Sequence, residues 1–387
     1  MACPYTFDDV LRAKKFHPSV LRDDFKKLVD FKADTNPKKW CGNKILYHYQ
    51  FKNLLNCKRD KKNYKSLQEM FENPDDLQKL WDDTIKRNRR KKGIDSILAI
   101  DIYEAYRINK GAIVFFKPST SKYIYKLFNA RSVLDPTAGW GGRMLGAMSL
   151  GIAYTGIDTN VNLKPGYDEM MSQFNPEKNV RMIWEDALKV DYSKFTYDLV
   201  LTSPPYVNME IYEHCPLFNP KTFYKEWLIP LMDKVFEHLQ EGGHMCFNIS
   251  PKMFKDLMKA GYKPPDDKID LRQQMGQNSQ VKSQDYIYVW NKSVTNLKTE
   301  IVESSNTNTM EAPQQMTSSS FMDMITNVTG MSNEYIDRLI ELEAENNRLK
   351  EENIALRKCK NKIRSEMGQV IHKIRQELTA LEKTSEE

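Results

Sequence analysis

The sequence lacks any paired arrangement of cysteines. Its six cysteines are scattered along 387 residues and contain no CxxC pair. They are Cys3, Cys41, Cys57, Cys215, Cys246 and Cys359. A disulfide framework or a zinc site requires closer, paired spacing, so neither is expected and no metal ligand is predicted. Unpaired thiols are typical of proteins in a reducing compartment.

Long apolar runs are also missing. No segment approaches the ~20 consecutive apolar residues that span a bilayer. The first 20 residues mix charged with apolar side chains, unlike a secretory signal. We therefore expect an intracellular, soluble protein that does not contact a membrane and lies in the cytoplasm or, in a eukaryote, the nucleus.

The charge of the chain is unevenly distributed. Residues 1–130 hold 28 Lys and Arg against 16 Asp and Glu, a net charge of +12, so the remaining residues sum to −6. Binding to a phosphate backbone requires such a basic arm. The predicted nucleic-acid contacts are Lys58, Arg59, Lys61, Lys62, Arg87, Arg89 and Arg90. The alternatives are a solvated helix face or, for the second cluster at residues 86–92, a nuclear-import signal.

Residues 1–110 are predicted to form a basic, mostly helical N-terminal region that binds nucleic acid. Asn73 fits a helix N-cap, and Pro74 fits the first turn of the helix that follows. From Leu77 onward, apolar residues recur at intervals of three and four, which marks one buried helix face.

Residues 111–292 alternate short strands with helices. Strands are predicted at 132–135, 154–158, 180–184, 197–202, 244–249 and 286–290, and a helix at 223–239. Strands separated by helices favour an α/β fold in which helices cover both faces of a parallel sheet.

The remainder of the chain has two further segments. Residues 293–332 are rich in Ser, Thr, Asn, Gln and Met without periodicity, which predicts a flexible linker. Residues 333–387 carry a heptad pattern over 339–381, typical of a coiled coil. Three of its a positions are polar: Asn346, Asn353 and Lys360. Polar a residues favour a parallel dimer, so we predict a homodimer or a coiled-coil partner. A single helix packed on its own domain is the alternative.

A glycine-rich turn follows the first predicted strand, from Asp135 to Arg143. Glycine allows a ligand to approach the main chain closely. A dinucleotide-binding turn would place its third glycine where this chain has Met144, so the turn fits a pyrophosphate poorly. A cofactor without phosphates needs close approach and acidic partners, and Asp135 is one such partner.

Two more aspartates follow predicted strands. Asp158 ends the second strand, 19 residues after Gly139, where a carboxylate can accept hydrogen bonds from both hydroxyls of a ribose. Asp186 follows the third strand and can accept one from an adenine amino group. Together with Asp135 they predict an adenosine pocket at the carboxyl edge of the sheet. For each aspartate alone, a loop cap is the alternative.

The most specific motif is the box Thr202-Ser203-Pro204-Pro205-Tyr206. Two prolines restrict the backbone and remove two N–H donors, which leaves carbonyl oxygens to face a substrate. These carbonyls and the Ser203 hydroxyl can hold the hydrogens of an exocyclic amine, so that its lone pair points at a methyl donor. Tyr206 provides a flat surface for a base removed from its stack.

Residues 111–292 resemble the amino-methyltransferases that modify adenine N6 or cytosine N4 in DNA. The segment 135–141 resembles their S-adenosylmethionine motif, 203–206 their catalytic motif, and 115–118 their upstream cofactor segment. The resemblance implies a Rossmann-like class I methyltransferase sheet. It also implies cofactor contacts at Lys117, Pro118, Thr137, Gly139 and Gly141, and catalytic roles for Ser203, Pro204, Pro205 and Tyr206.

This chain departs from the family in two ways. The catalytic motif of the family often begins with Asp or Asn, and Ser203 in that place favours cytosine N4 over adenine N6 by a small margin. No large target-recognition insertion follows Tyr206. The expected function is transfer of a methyl group to the exocyclic amine of a flipped DNA base. The alternatives are an RNA base, a protein glutamine, or an inactive nucleic-acid-binding module.

Overall fold

The computed structural model describes residues 2–32, 40–59, 65–88, 96–110, 113–207, 210–211, 214, 217–271, 286–293 and 348. Residues 1–296 form one compact unit and residues 297–387 a second. Apart from residues 293 and 348, the predicted linker and coiled coil lie outside the described residues.

The N-terminal region is helical where the structure describes it, as predicted. Its elements are α1 (Phe7–Arg12), α2 (Pro18–Val29), α3 (Asn43–Asn56), the short strand β1 (Lys58–Arg59), α4 (Leu67–Phe71), α5 (Pro74–Asn88) and α6 (Ala99–Lys110). The predicted cap of α5 is confirmed, because the main-chain N–H of Asp76 donates to Asn73 Oδ1 at 3.0 Å. The predicted apolar face of α5 buries Leu80, Trp81 and Thr84.

The segment after residue 112 alternates helices and strands. Its first elements are α7 (Pro118–Leu127), β2 (Ser132–Asp135), α8 (Gly142–Met148), β3 (Ala153–Asp158), α9 (Lys164–Phe174), β4 (Val180–Trp184) and β5 (Leu199–Thr202). They are followed by β6 (Glu210–Ile211), α10 (Ile229–Glu237) with a π-helical turn before it, β7 (His244–Ile249), α11 (Pro251–Lys259), β8 (Asp267–Asp270) and β9 (Tyr286–Asn291).

Seven of these strands form one sheet in the order β4-β3-β2-β5-β7-β9-β8. The neighbours from β4 to β7 pair in parallel, which confirms the predicted parallel sheet for this part. The last predicted strand differs, because β9 inserts between β7 and β8 and pairs antiparallel with both. Strand β8 was not predicted, since its four residues bury only Ile269 fully and show no apolar pattern.

Alternate residues of the strands enter two hydrophobic cores, one on each face of the sheet. Val133, Leu199 and Leu201 point into the first core, together with apolar residues of α8. Leu134 and Val200 point into the second core, together with apolar residues of α10 and α11. Helices therefore cover both faces, as the α/β prediction requires.

The N-terminal helices are part of the first core. Leu46 and Phe51 of α3 belong to the same cluster as the sheet residues. The Gln50 side chain donates to the main-chain oxygen of Leu163 at 3.1 Å, and the Asn53 side chain donates to that of Asn162 at 3.1 Å. These bonds attach α3 to the loop that follows β3, at the carboxyl edge of the sheet.

Candidate active site

A cavity of about 810 Å³ lies at the carboxyl ends of the parallel strands. The loops that follow β2, β3, β4, β5 and β7 supply wall residues: 136–140, 142–143, 158–160, 185–187, 203–206, 248 and 250. The strand order reverses between β2 and β5, and ligands of open α/β sheets bind at such a reversal. The volume falls within the range of small-molecule sites.

Asp135 lies beneath the glycine turn and does not line this cavity. Its carboxylate is fully buried. It accepts hydrogen bonds from Arg143 Nε at 2.6 Å, the Tyr154 hydroxyl at 2.6 Å and the Thr202 hydroxyl at 2.9 Å. The predicted cofactor contact is therefore corrected: internal donors occupy this carboxylate, which supports the turn instead.

Arg143 is the partner that the prediction missed. Its side chain is 4% exposed, and its guanidinium also donates to the main-chain oxygen of Thr137. Burial alone would lower the pKa of Arg143, but the adjacent Asp135 carboxylate holds it above its ordinary value. Arg143 ends the glycine-rich segment in the sequence, and only its burial in the structure reveals a partner of opposite charge.

The glycine turn needs glycine at two positions for different reasons. Gly139 has φ +59°, in the left-handed region that side chains disfavour. A Cβ at Gly142 would overlap the main-chain oxygen of Phe116, so the turn passes close to the segment before α7. Both residues line the cavity.

Two of the predicted cofactor contacts shape the main chain rather than the cavity wall. Gly141 has φ +90° and is the N-cap residue of α8. Pro118 is buried as the first residue of α7. Neither is among the described residues that line the cavity, whereas Thr137 and Lys117 are. Both residues begin a helix, and their predicted contact with the cofactor stays a prediction.

Asp158 and Asp186 line the cavity, and their contacts with the cofactor stay predictions. Asp158 accepts hydrogen bonds from the main-chain N–H of Gly139 at 2.7 Å and of Asn160 at 2.9 Å. Burial raises the pKa of Asp158 to about 6 despite these bonds. Asp186 Oδ1 accepts from the N–H of Leu188 at 3.0 Å, so this carboxylate also orders its own loop.

The Pro-Pro-Tyr box reaches the same cavity and is joined to the glycine turn. The Thr137 hydroxyl donates to the main-chain oxygen of Ser203 at 3.1 Å and lies 2.6 Å from the Thr202 hydroxyl, whose own proton goes to Asp135. Pro204 is buried, while Pro205 and Tyr206 are half-buried, and all three line the cavity. A chain of short contacts thus fixes the distance between turn and box.

Residues outside the predicted motifs complete this part of the wall. The Ser203 hydroxyl donates to the main-chain oxygen of Asn248 at 3.3 Å, and Asn248 lines the cavity near the end of β7. The rings of Phe218 and Trp227 line it as well, with centroids 5.0 Å apart. The position of Asn248 near the carboxyl end of a predicted strand was the one sequence signal for it.

The N-terminal region also contributes to the wall. Trp40, Asn43, Tyr47 and Arg107 line the cavity together with Lys117, whose ammonium lies 4.8 Å from the centroid of the Trp40 ring. The sequence held no motif for these four residues. Only the packing of α3, of α6 and of the segment before α3 brings them to the sheet edge.

Comparisons with known proteins bear on this cavity. No protein family profile matches the chain. The chain is 24% identical over 280 residues to the release factor glutamine methyltransferase of Fusobacterium nucleatum, covering 66% of this chain and 75% of that protein. It is 32% identical over 92 residues to the type II methyltransferase M.MjaVI of Methanocaldococcus jannaschii, covering 24% of this chain and 45% of that protein.

The alignment with M.MjaVI thus spans less than half of that protein. Among solved structures, TrmN from Thermus thermophilus is 19% identical, with a TM-score of 0.32 over 46% of this chain and 49% of its own. Both curated relatives are methyltransferases, and the sheet of this chain has helices on both faces and a cavity at its order reversal. This is the class I fold of S-adenosylmethionine-dependent methyltransferases. Methyltransferases with this fold use S-adenosylmethionine as their cofactor.

The predicted nucleic-acid residues of the methyltransferase are only partly described. Lys58 Nζ lies 2.9 Å from Glu69 Oε1 in a partly exposed ion pair. Arg87 is half-buried in the last turn of α5, and of Arg59 the structure describes the main chain. Lys61, Lys62, Arg89 and Arg90 lie outside the described residues. Strand β1 pairs antiparallel with β6, and β6 begins four residues after Tyr206.

Two further properties of the described residues concern membranes and metals. Within the ranges that the structure covers, no helix of the methyltransferase is both long enough and apolar enough to cross a bilayer. The same ranges contain no group of three or more His, Cys, Asp or Glu side chains arranged to hold a metal ion.

Proposed function

We propose that the methyltransferase transfers a methyl group from S-adenosylmethionine to the exocyclic amino group of a flipped base in DNA. The observation that carries this proposal is the bond between the two motifs. Thr137 of the glycine turn donates to the main-chain oxygen of Ser203 in the Pro-Pro-Tyr box, and both residues line one cavity. A methyl donor on the turn and an acceptor amine on the box would therefore lie at a fixed separation.

The described residues fit the adenosine part of the cofactor. Asp158 faces the cavity with two of its lone pairs engaged by main-chain N–H groups, and the others would accept from the ribose hydroxyls. Asp186 would accept from the adenine amino group. Thr137 and Gly139 would line the close approach of the main chain. When bound, the cofactor supplies an electrophilic methyl group.

The box would orient the acceptor amine through oxygen atoms alone. The Ser203 hydroxyl directs its proton to Asn248, so its lone pairs are directed elsewhere and can accept from an amine N–H. The carbonyl of Pro204 would accept the second N–H. Two accepting oxygens draw the nitrogen toward tetrahedral geometry, which exposes its lone pair to the methyl group. The proton of the methylated product is acidic, so no strong base is needed.

Aromatic rings would hold the base itself. Tyr206, Phe218 and Trp227 line the same cavity as the box. Stacking of a flipped base on an aromatic ring contributes about 1–3 kcal/mol per base and tolerates any base identity. These rings therefore support a planar, aromatic acceptor and leave the choice between cytosine N4, which Ser203 favours, and adenine N6 to the accepting oxygens.

The basic N-terminal arm supports nucleic acid as the substrate. The β1–β6 pairing joins this arm to the segment just after the catalytic box, so charges near residue 58 would lie close to the strand that carries the flipped base. The predicted coiled coil over 339–381 would join this chain to a second copy or to another partner. A homodimer would offer two methyl-transfer sites to one DNA duplex. The similarity to the type II methyltransferase M.MjaVI includes 92 residues of this chain.

A protein glutamine is the second candidate acceptor. The alignment with the release factor glutamine methyltransferase covers 280 residues, more than the alignment with M.MjaVI. A side-chain amide offers the same planar NH₂ to the box as a base does. It lacks an aromatic ring, so Phe218 and Trp227 would have no stacking partner.

The test is transfer of tritiated methyl groups from S-adenosylmethionine to DNA, RNA and a glutamine-containing peptide, followed by mass spectrometry of the nucleosides and amino acids. We expect N4-methylcytosine or N6-methyladenine from DNA. Label in RNA alone or in the peptide alone would contradict DNA as the substrate, but it would still support methyl transfer to an amino group as the reaction. Absence of label in all three would count against the whole proposal.

The role of the basic arm is tested separately. The slope of log K against log salt is about −0.9 per phosphate contact. Replacing Lys61 and Lys62 by alanine should therefore reduce the magnitude of the slope for DNA by about 2. The control replaces the exposed Lys26 and Lys27 of α2, which removes the same charge elsewhere on the N-terminal region. Equal slopes for the two variants would contradict the assignment.

A further inference from the structure

The wall that the N-terminal helices form contains two buried polar atoms without a hydrogen-bond partner. These atoms are Asn43 Oδ1 and Arg107 Nε, and neither finds a partner among the described residues. Asn43 as a whole is 6% exposed. A buried donor or acceptor without a hydrogen-bond partner reduces the free energy of unfolding, and native proteins contain few such groups. Both residues line the cofactor cavity, but the two atoms themselves are buried beneath its surface, so a ligand would reach them only after their side chains turn.

The two atoms have opposite requirements. Asn43 Oδ1 can only accept a hydrogen bond, and Arg107 Nε can only donate one. Arg107 is anchored on its outer side, because its Nη2 lies 2.8 Å from Glu104 Oε2 in the same helix. A ligand group that satisfies both atoms must therefore combine a donor and an acceptor. The free amino acid end of S-adenosylmethionine has an α-ammonium and an α-carboxylate.

Helix α3 indicates which end of the cofactor reaches these residues. Its central residue Gln50 is bonded to the main chain of Leu163, in the loop after the Asp158 strand where the ribose is expected. Its first residue, Asn43, lies at the opposite side, since a Cβ on the adjacent Gly42 would contact Pro118 at 3.0 Å. The helix thus extends from the loop where the ribose is expected to the start of α7, beside the segment 115–118 that resembles the upstream cofactor segment.

We propose that Asn43 accepts from the α-ammonium of S-adenosylmethionine and that Arg107 donates to its α-carboxylate. In the bound state the Asn43 amide would turn about its soft Cβ–Cγ bond and the Arg107 side chain would shift, so that Oδ1 and Nε face the cavity. Both residues lie outside 111–292, the segment that resembles amino-methyltransferases. The N-terminal helices are therefore part of the cofactor site. This proposal rests on the cofactor and is independent of the methyl acceptor.

The experiment compares two ligands that differ only in the part concerned. S-adenosylhomocysteine retains the amino acid end, whereas 5′-methylthioadenosine carries a methyl group in its place. Calorimetric binding of both to the full chain needs no turnover. Asn43→Leu and Arg107→Ala should each weaken S-adenosylhomocysteine binding about tenfold, the effect of roughly 1.4 kcal/mol. Binding of 5′-methylthioadenosine should change by less than about twofold, since it makes neither contact.

Two controls separate this role from a structural one. Asn43→Leu keeps the branching and the number of side-chain heavy atoms and removes the unpaired oxygen, so its melting temperature should not fall while S-adenosylhomocysteine binding weakens. Lys52→Ala alters an exposed residue of the same helix as Asn43 and should bind the two ligands as the unmodified chain does.

Equal losses for both ligands would overturn the proposal, because they would indicate a general change in the cavity. Unchanged S-adenosylhomocysteine binding in the Asn43 and Arg107 variants would overturn it as well. Failure of the unmodified chain to bind either ligand would overturn the cofactor assignment itself together with this proposal. The substrate proposal is tested by methyl transfer and is not affected by the ligand comparison.

Discussion

The glycine turn and the Pro-Pro-Tyr box face one cavity but are held in different ways. The turn rests on the buried pair of Asp135 and Arg143, in which neither side chain is more than 4% exposed. The box relies on two prolines that restrict its own backbone. A change beneath the turn should therefore reduce stability first, whereas a change in the box should reduce activity and leave the fold intact.

The largest expected effect comes from Arg143→Met, which leaves the Asp135 carboxylate buried without its cation. Removing one partner of a buried ion pair costs about 3–5 kcal/mol, and we expect a loss of this size in the free energy of unfolding. Urea denaturation followed by circular dichroism measures it.

The chain offers a matched control for this variant. Arg131 pairs with Asp198 at 3.5 Å near the other end of β2, but its side chain is 86% exposed. Arg131→Met should cost less than about 1 kcal/mol, because solvent screens an exposed pair. Similar losses for the two variants would show that burial does not distinguish the turn from the surface.

Tyr206→Ala tests the other side of the comparison. We expect kcat for methyl transfer to fall about 10²-fold or more, because the acceptor loses the ring that positions it. The affinity for S-adenosylhomocysteine should change by less than about twofold, since the box is not expected to bind the cofactor. Tyr206→Phe retains the ring and should keep most of the activity. Normal turnover by Tyr206→Ala would refute the proposed role.

The pH dependence of cofactor binding tests Asp158. The pKa of Asp158 is raised to about 6, so this carboxyl keeps its proton over the pH range from about 4 to about 6, in which an ordinary carboxyl is ionised. Only the ionised form accepts from both ribose hydroxyls, and binding should therefore strengthen as pH rises through 6 and level off above it. Below pH 6 the Kd should increase by up to about tenfold per pH unit. Asp158→Asn should bind more weakly and abolish this dependence in calorimetry.

The same raised pKa affects the stability of the free protein in the opposite direction. The folded state binds the proton of Asp158 more tightly than the unfolded state does. The contribution of Asp158 to the free energy of unfolding should consequently decline as pH rises from about 4 to about 6. Comparing the unmodified chain with Asp158→Asn in urea at several pH values isolates this contribution.

The smallest effect on the cavity should come from removing residues 333–387. Cofactor affinity should stay within about twofold, because all the described residues that line the cavity belong to the first compact unit. Sedimentation should instead report a fall to the monomer mass, as the coiled-coil prediction requires. Leu349→Asp at a d position should do the same without truncation. An unchanged mass in both variants would contradict the predicted dimer.

Most of the sheet was predictable because its strands have local signatures. The strands at 132–135, 180–184 and 244–249 match the prediction residue for residue. Strand β8 was missed because only Ile269 of its four residues is fully buried. The antiparallel direction of β9 could not be predicted either, because apolar patterning specifies which residues are buried and not which neighbour a strand pairs with.

The sequence by itself determined the class of chemistry. Glycine and proline act on the main chain wherever they stand, so the turn at Gly139 and the box at Pro204 could be identified from residue type and order. The tertiary structure alone decided which side chains surround the reaction. Asp135 lies below the turn because Arg143 and Tyr154 converge on it, and Asn43 and Arg107 reach the cavity because α3 and α6 pack against the sheet. Contacts between residues so far apart in the chain depend on packing, which residue type alone does not encode.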